Sequence, residues 1–159
     1  MIKHTQNISI NSDSNKAWSY LIDFSKSLIF DKYFRLVEIP GKYSVNYDYT
    51  FYAKVKYLFN TYHMKARIIE NIPPEKITIK FMDKNNSDVY LIKSFAIKSE
   101  GNIIILNYQN TLYLNSFYKS MLLYSNIKAS CVKELIYLKK AIESSDFLDN
   151  ERKVKTLLH

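Results

Sequence analysis

One cysteine, two glycines, three prolines and one tryptophan are all that 159 residues contain of these types. The single Cys131 excludes an internal disulfide, and its place inside an apolar helical repeat marks it as a small buried hydrophobe. The glycines, Gly41 and Gly101, stand sixty residues apart, so no glycine-rich loop is available to cradle a phosphate. No stretch approaches the ~20 apolar residues that cross a bilayer. The first residues, MIKHTQNISINSD, hold no apolar core of signal-peptide length, and a cytoplasmic protein is expected. HExxH, CxxC and nucleophile-elbow spacings are missing, and no His, Cys and acidic residues cluster, so neither a metal site nor a cofactor is expected.

What is present is aromatic and basic. There are fourteen tyrosines and nine phenylalanines, and 23 basic against 15 acidic residues leave a net charge of +8. Such a charge suits an acidic protein or a membrane surface as partner. The lysines are scattered rather than blocked, and they do not interleave with exposed aromatics on one element, so nucleic acid is not an expected partner. The length allows one domain with a substantial core.

Hydrophobic periodicity orders the chain. Ile2, Ile8 and Ile10 share a parity and predict a strand. Ser12 or Asp13 then caps a helix that carries Trp18, Leu21 and Ile22 on one face. SKSLIFDKYF continues as a second short helix or an irregular connection, and RLVEI is a short strand stopped by Pro40-Gly41. In YDYTFYAKVKY the odd positions Tyr49, Phe51, Ala53, Val55 and Tyr57 are apolar, opposite Asp48, Thr50, Lys54 and Lys56. That is a strand with one wet and one covered face. Even parity follows in Tyr62, Met64, Ala66 and Ile68, then a turn at Pro73-Pro74, then Ile77, Ile79 and Phe81. VYLIKSFAIK and NIIILNYQNTLYL form a hairpin about Gly101. From Asn115 or Ser116 the period changes: Phe117, Met121, Tyr124, Cys131, Leu135, Leu138 and Ile142 line one helical stripe. A helix of ~28 residues is about 42 Å long and can cover one face of a curled sheet. Residues 146–159 form a tail or a short extra helix.

This order resembles the helix-grip fold of the START-like superfamily, and within it the polyketide cyclase/dehydrase and lipid-transport (SRPBCC) group, over about residues 2–144. The residues that carry the resemblance are ISINSDSNKAWSYLIDF (strand, polar cap, helix with a Trp), ARIIENIPPEKITIKF (strand, paired prolines, strand), the hairpin FAIKSEGNIIILNYQNTLYL and the long closing helix. One departure is EIPGKYSVNYD, with a single Gly where pollen-allergen members carry a glycine-rich loop. The resemblance implies an α+β domain over residues 1–145: a curved antiparallel sheet of six to seven strands wrapped around the C-terminal helix, with two short helices after the first strand.

It also implies an apolar cavity between sheet and helix, of ~300–1,000 Å³, that holds a small hydrophobic, lipid- or polyketide-like ligand. Tyr49, Phe51, Tyr62, Phe81, Phe95, Tyr108, Asn110, Phe117, Met121 and Tyr124 fall on covered positions and would line or fill that space. Lys93 lies between Leu91 and Phe95 on an apolar parity, and Lys128 falls on the helix stripe before Cys131. A buried ammonium is costly unless paired. Snorkelling or a bulge would take these lysines outward; inside, they would meet an anionic head group such as a ligand carboxylate, with Asn110 beside them. His4 shares the inward parity, while His63 lies on a wet face, and no acid pairs with His4 in the pattern, so no catalytic residue is assigned. Three functions stay open: a carrier of a small hydrophobic molecule, a polyketide cyclase or dehydratase, and a chaperone-assisting interaction module.

Overall fold

The computed structural model describes residues 1–28, 34–57, 60–83, 90–113 and 117–144, with side chains at all of these except 34, 35, 56, 57, 60, 62 and 117–127. The tail 146–159 and His159 lie outside the described residues. The elements are β1 (Ile2–Ile10), α1 (Ser14–Ile22), α2 (Phe24–Ser27), β2 (Phe34–Glu38), β3 (Thr50–Tyr57), β4 (Asn60–Ile72), β5 (Lys76–Asp83), β6 (Tyr90–Glu100), β7 (Ile103–Tyr113) and α3 (Phe117–Glu143).

The seven strands form one curled antiparallel sheet in the order β1-β7-β6-β5-β4-β3-β2. Six strands follow one another as a meander, and β1 closes on β7 at the far edge. Side chains alternate across the sheet with period two, so the inward parity can be read along each strand. Phe51, Ala53 and Val55 are buried on β3, Met64, Ala66 and Ile68 on β4, and Ile77, Ile79 and Phe81 on β5. On β6 and β7 the buried sets are Leu91, Lys93, Phe95, Ile97 and Ile104, Leu106, Tyr108, Asn110, Leu112. Register shifts at Leu36/Glu38 and Ile68/Glu70 add a residue to one strand and increase the local bend. Gly101 takes φ +66° at the β6–β7 turn, a conformation open to glycine at little cost.

Asp13 caps α1 by accepting the Lys16 backbone N–H at 2.8 Å. Ala17, Trp18, Tyr20 and Leu21 then face the core. The second helix begins earlier than the sequence reading placed it, directly after Asp23. A side chain from outside the helices joins the two: the Tyr43 hydroxyl accepts the Phe24 N–H at 2.8 Å and donates to the Ile22 carbonyl at 3.1 Å.

Helix α3 lies against the inward side of the sheet, closest to β1. Its C-terminal end is tied to the end of that strand. Lys139 Nζ donates to the Ser9 carbonyl at 2.8 Å, and the Asn11 N–H donates to Glu143 Oε1 at 2.8 Å. Further back along the helix, the Lys128 charge is felt by His4. From Lys128 to Glu143 a helix advances about 22 Å. From His4 to Asn11 a strand advances about 23 Å. Residues 128–143 of the helix and 4–11 of the chain therefore run side by side in the same direction. Among the described residues, no helix is long and apolar enough to cross a membrane.

Candidate functional site

The site grows from strand register. His4 on β1 is opposite Asn110 on β7, and Asn110 is opposite Lys93 on β6. All three project from the inward parity of their strands, so they form one polar row. The neighbouring rows are largely apolar: Ile2, Leu112 and Leu91 on one side, Gln6, Tyr108 and Phe95 on the other. Ile79 and Ile68 continue the polar row across β5 and β4. The inward face is thus oily except over β1, β7 and β6.

Helix α3 sets a carboxylate above this row. Lys93 Nζ lies 3.1 Å from Glu134 Oε1 and 3.2 Å from Oε2, with both side chains fully buried. The Tyr108 hydroxyl donates to Glu134 Oε2 at 2.8 Å. Asn110 Nδ2 donates to the Tyr108 oxygen at 3.3 Å and to Cys131 Sγ at 3.7 Å. The ammonium also sits 5.5 Å from the centre of the Tyr108 ring, which stacks on Phe95 at 4.8 Å. Among the described residues, one ammonium faces one carboxylate in the cluster.

Among the described residues, three buried side-chain atoms have no hydrogen-bond partner: Asn110 Oδ1 and His4 Nε2 in this row, and Asn71 Oδ1 on β4. Asn110 is only 4% exposed. The His4 imidazole is held below its ordinary range, first by burial and then by the Lys128 charge, which favours the neutral ring.

The residues expected from the sequence divide into groups. Lys93, Phe95, Tyr108 and Asn110 come together in this cluster. Phe81 is buried on β5, paired in register with Leu91 of β6. Phe51 and the half-buried Tyr49 stack with one another on the far side of the sheet, and Phe51 also stacks on Phe24 and Tyr43. That ring cluster lies three strands from Lys93 and braces α2 rather than the polar row. Tyr62, Phe117, Met121 and Tyr124 lie outside the described side chains.

The two lysines that the sequence left open between an outward and an inward place part company in the structure. Lys128 does not point into the core; it is exposed, one turn before the buried stripe of Cys131, Glu134, Leu135, Leu138 and Ile142. An unpaired ammonium at the end of the stripe keeps its head in water because burying it would cost far more than its stem gains. Lys93 takes the inward of its two open places, and its carboxylate partner there is Glu134 of the same chain. Glu134 was missed because the helix pattern was read by its apolar members alone. The available signal was an acid three residues after Cys131 and four before Leu138, on the same face as both, in a chain with a lysine on a covered strand parity.

No protein-family model matches the chain, and no curated protein matches it by sequence. Solved structures do match in shape. The protein CV1439 of Chromobacterium violaceum superposes with TM-score 0.69 at 9% identity, over 90% of this chain and 98% of that one. CalU16 of Micromonospora echinospora gives 0.59 at 12% identity, over 98% and 85% of the two chains. The di-domain ARO/CYC protein StfQ, from the steffimycin biosynthetic pathway, gives 0.63 at 12% identity, over 87% of this chain and 49% of StfQ. The chain has the helix-grip fold. At these identities the likeness concerns the backbone, and the chemistry of this helix-grip protein has to be argued from its own side chains. The polar row and Glu134 lie where sheet and gripping helix face one another.

Proposed function

We propose that this helix-grip protein binds a small hydrophobic molecule between the inward face of its sheet and α3, with the ligand's polar end at the His4–Asn110–Lys93 row. One observation carries the reading: among the described residues, two buried polar atoms beside the Lys93–Glu134 pair, Asn110 Oδ1 and His4 Nε2, lack partners. A native core pairs such atoms because each unpaired one costs about 1–3 kcal/mol. A ligand seated there would supply the missing bonds while its apolar body meets Leu91, Phe95 and Leu112. One matching protein is an ARO/CYC protein of the steffimycin biosynthetic pathway, which supports a polyketide-like molecule as the oily ligand. Purified protein extracted with organic solvent and examined by mass spectrometry tests the reading. A co-purifying hydrophobic molecule at near-stoichiometric amount is the expected result.

A second reading, a cyclase or dehydratase acting on a polyketide-like substrate, is favoured by the Tyr108–Glu134 contact at 2.8 Å, a hydroxyl and a carboxylate in proton-transfer distance inside the core. Turnover of a poly-β-keto thioester that Tyr108→Phe abolishes would promote it over simple carriage.

A further inference from the structure

The ligand's polar group can be narrowed from the atoms left unpaired, on the footing that the row is a ligand site as proposed above. Asn110 spends its amide N–H groups on Tyr108 and Cys131, so the free atom, Oδ1, is an acceptor in need of a donor. His4 Nε2 is the neighbouring free atom, directly across the β1–β7 pair. Directly opposed residues on one face of an antiparallel pair have Cβ atoms about 4.5–5.5 Å apart, so one oxygen between the two side chains reaches both.

Three kinds of polar group can be compared at that point. A carboxylate has no hydrogen to offer Asn110 Oδ1 and would lie near the Glu134 carboxylate, while Lys93 is already engaged by that residue. An ammonium has no lone pair to offer an Nε2–H imidazole and approaches a ring already subject to the Lys128 charge. A hydroxyl donates its one hydrogen to Asn110 Oδ1 and accepts from the imidazole in its Nε2–H tautomer, so it satisfies both atoms at once. Its lack of charge also suits a place beside Lys93 and Glu134, which already face each other. We infer that His4 and Asn110 form a hydroxyl-recognition pair and that the protein selects a neutral alcohol, phenol or enol over the corresponding acid.

Three probes that share one apolar body test this: naphthol, naphthalene and naphthoate, titrated into the full chain by calorimetry. Naphthol should bind about tenfold more tightly than either other probe, the discrimination expected from satisfying buried polar atoms. His4→Phe and Asn110→Leu should each bring naphthol to within about twofold of naphthalene. His4 is only half-buried, so His4→Phe keeps the test open if Asn110→Leu fails to fold. Equal binding of naphthol and naphthalene overturns the pair and leaves the apolar site standing; a bridging water that is never displaced would give this result. Tightest binding by naphthoate overturns it in favour of an acid site. Saturable binding by none of the three overturns both the pair and the ligand site on which it rests.

Discussion

Lys93 Nζ and Glu134 Oε1 lie 3.1 Å apart, forty-one residues distant in sequence and both wholly out of water. The strand contributes the cation and the gripping helix the anion, so the ion pair reports directly whether α3 is seated. A buried pair of this kind owes little of its value to net stabilisation, because desolvating two charges offsets most of their attraction.

That asymmetry predicts the outcome of substitution. Lys93→Met or Glu134→Leu alone strands a buried charge and should lower stability by about 3–5 kcal/mol. The double variant should recover most of that loss. Urea unfolding of the four proteins checks it; a double variant as unstable as the sum of the singles would mean that the pair does not act as a unit.

Tyr43 should matter to the helices rather than to the ligand. Its hydroxyl bridges Ile22 and Phe24, and burial pushes its ionisation up to about 12. Tyr43→Phe keeps the ring stack on Phe24, at 5.0 Å, and removes both bonds, for an expected loss of about 1–2 kcal/mol. Probe binding at the polar row should be unchanged, which calorimetry would show.

The His4 ring predicts a pH dependence. Its folded-state affinity for a proton lies below the ordinary value of 6.5, so the unfolded chain binds more protons between the two values. Stability therefore holds above pH 6.5 and falls as the pH drops below it. The charged group pressing on the ring is Lys128, and Asn110 is the polar neighbour across the strand pair. Wild type should show a steeper loss of unfolding free energy below pH 6.5 than His4→Phe; identical slopes would refute the assignment to His4.

The α1 cap is a local feature with a local prediction. Asp13 accepts the Lys16 N–H, and Asp13→Ala should cost about 1 kcal/mol. Asp13→Asn, which retains a capping oxygen, should cost less, and thermal unfolding distinguishes the two.

The parts of this protein legible in its residues are those with short-range causes. Alternation along YDYTFYAKVKY and NIIILNYQNTLYL marks strands because side chains switch faces at every residue. The same parity put Phe51, Phe81, Phe95, Tyr108 and Asn110 on the inward side, where they are found. It set Lys93 on the covered parity but left open whether the ammonium turns outward, and the structure buries it. The stripe from Cys131 to Ile142 marks the closing helix for the same local reason. Parity says nothing about who stands opposite. Phe51 and Lys93 look alike as inward residues of strands, yet one stacks on Phe24 and Tyr43 and the other meets Glu134.

By itself, then, the amino-acid order determined which stretches become strands or helices and which of their faces avoid water, because those preferences act between residues a few positions apart. Only the tertiary structure decided that His4, Asn110 and Lys93 share a row, that Glu134 answers Lys93, and that Lys128 stays in water. These depend on strand register and on the seat of α3, which are settled by contacts among residues brought together from across the whole chain.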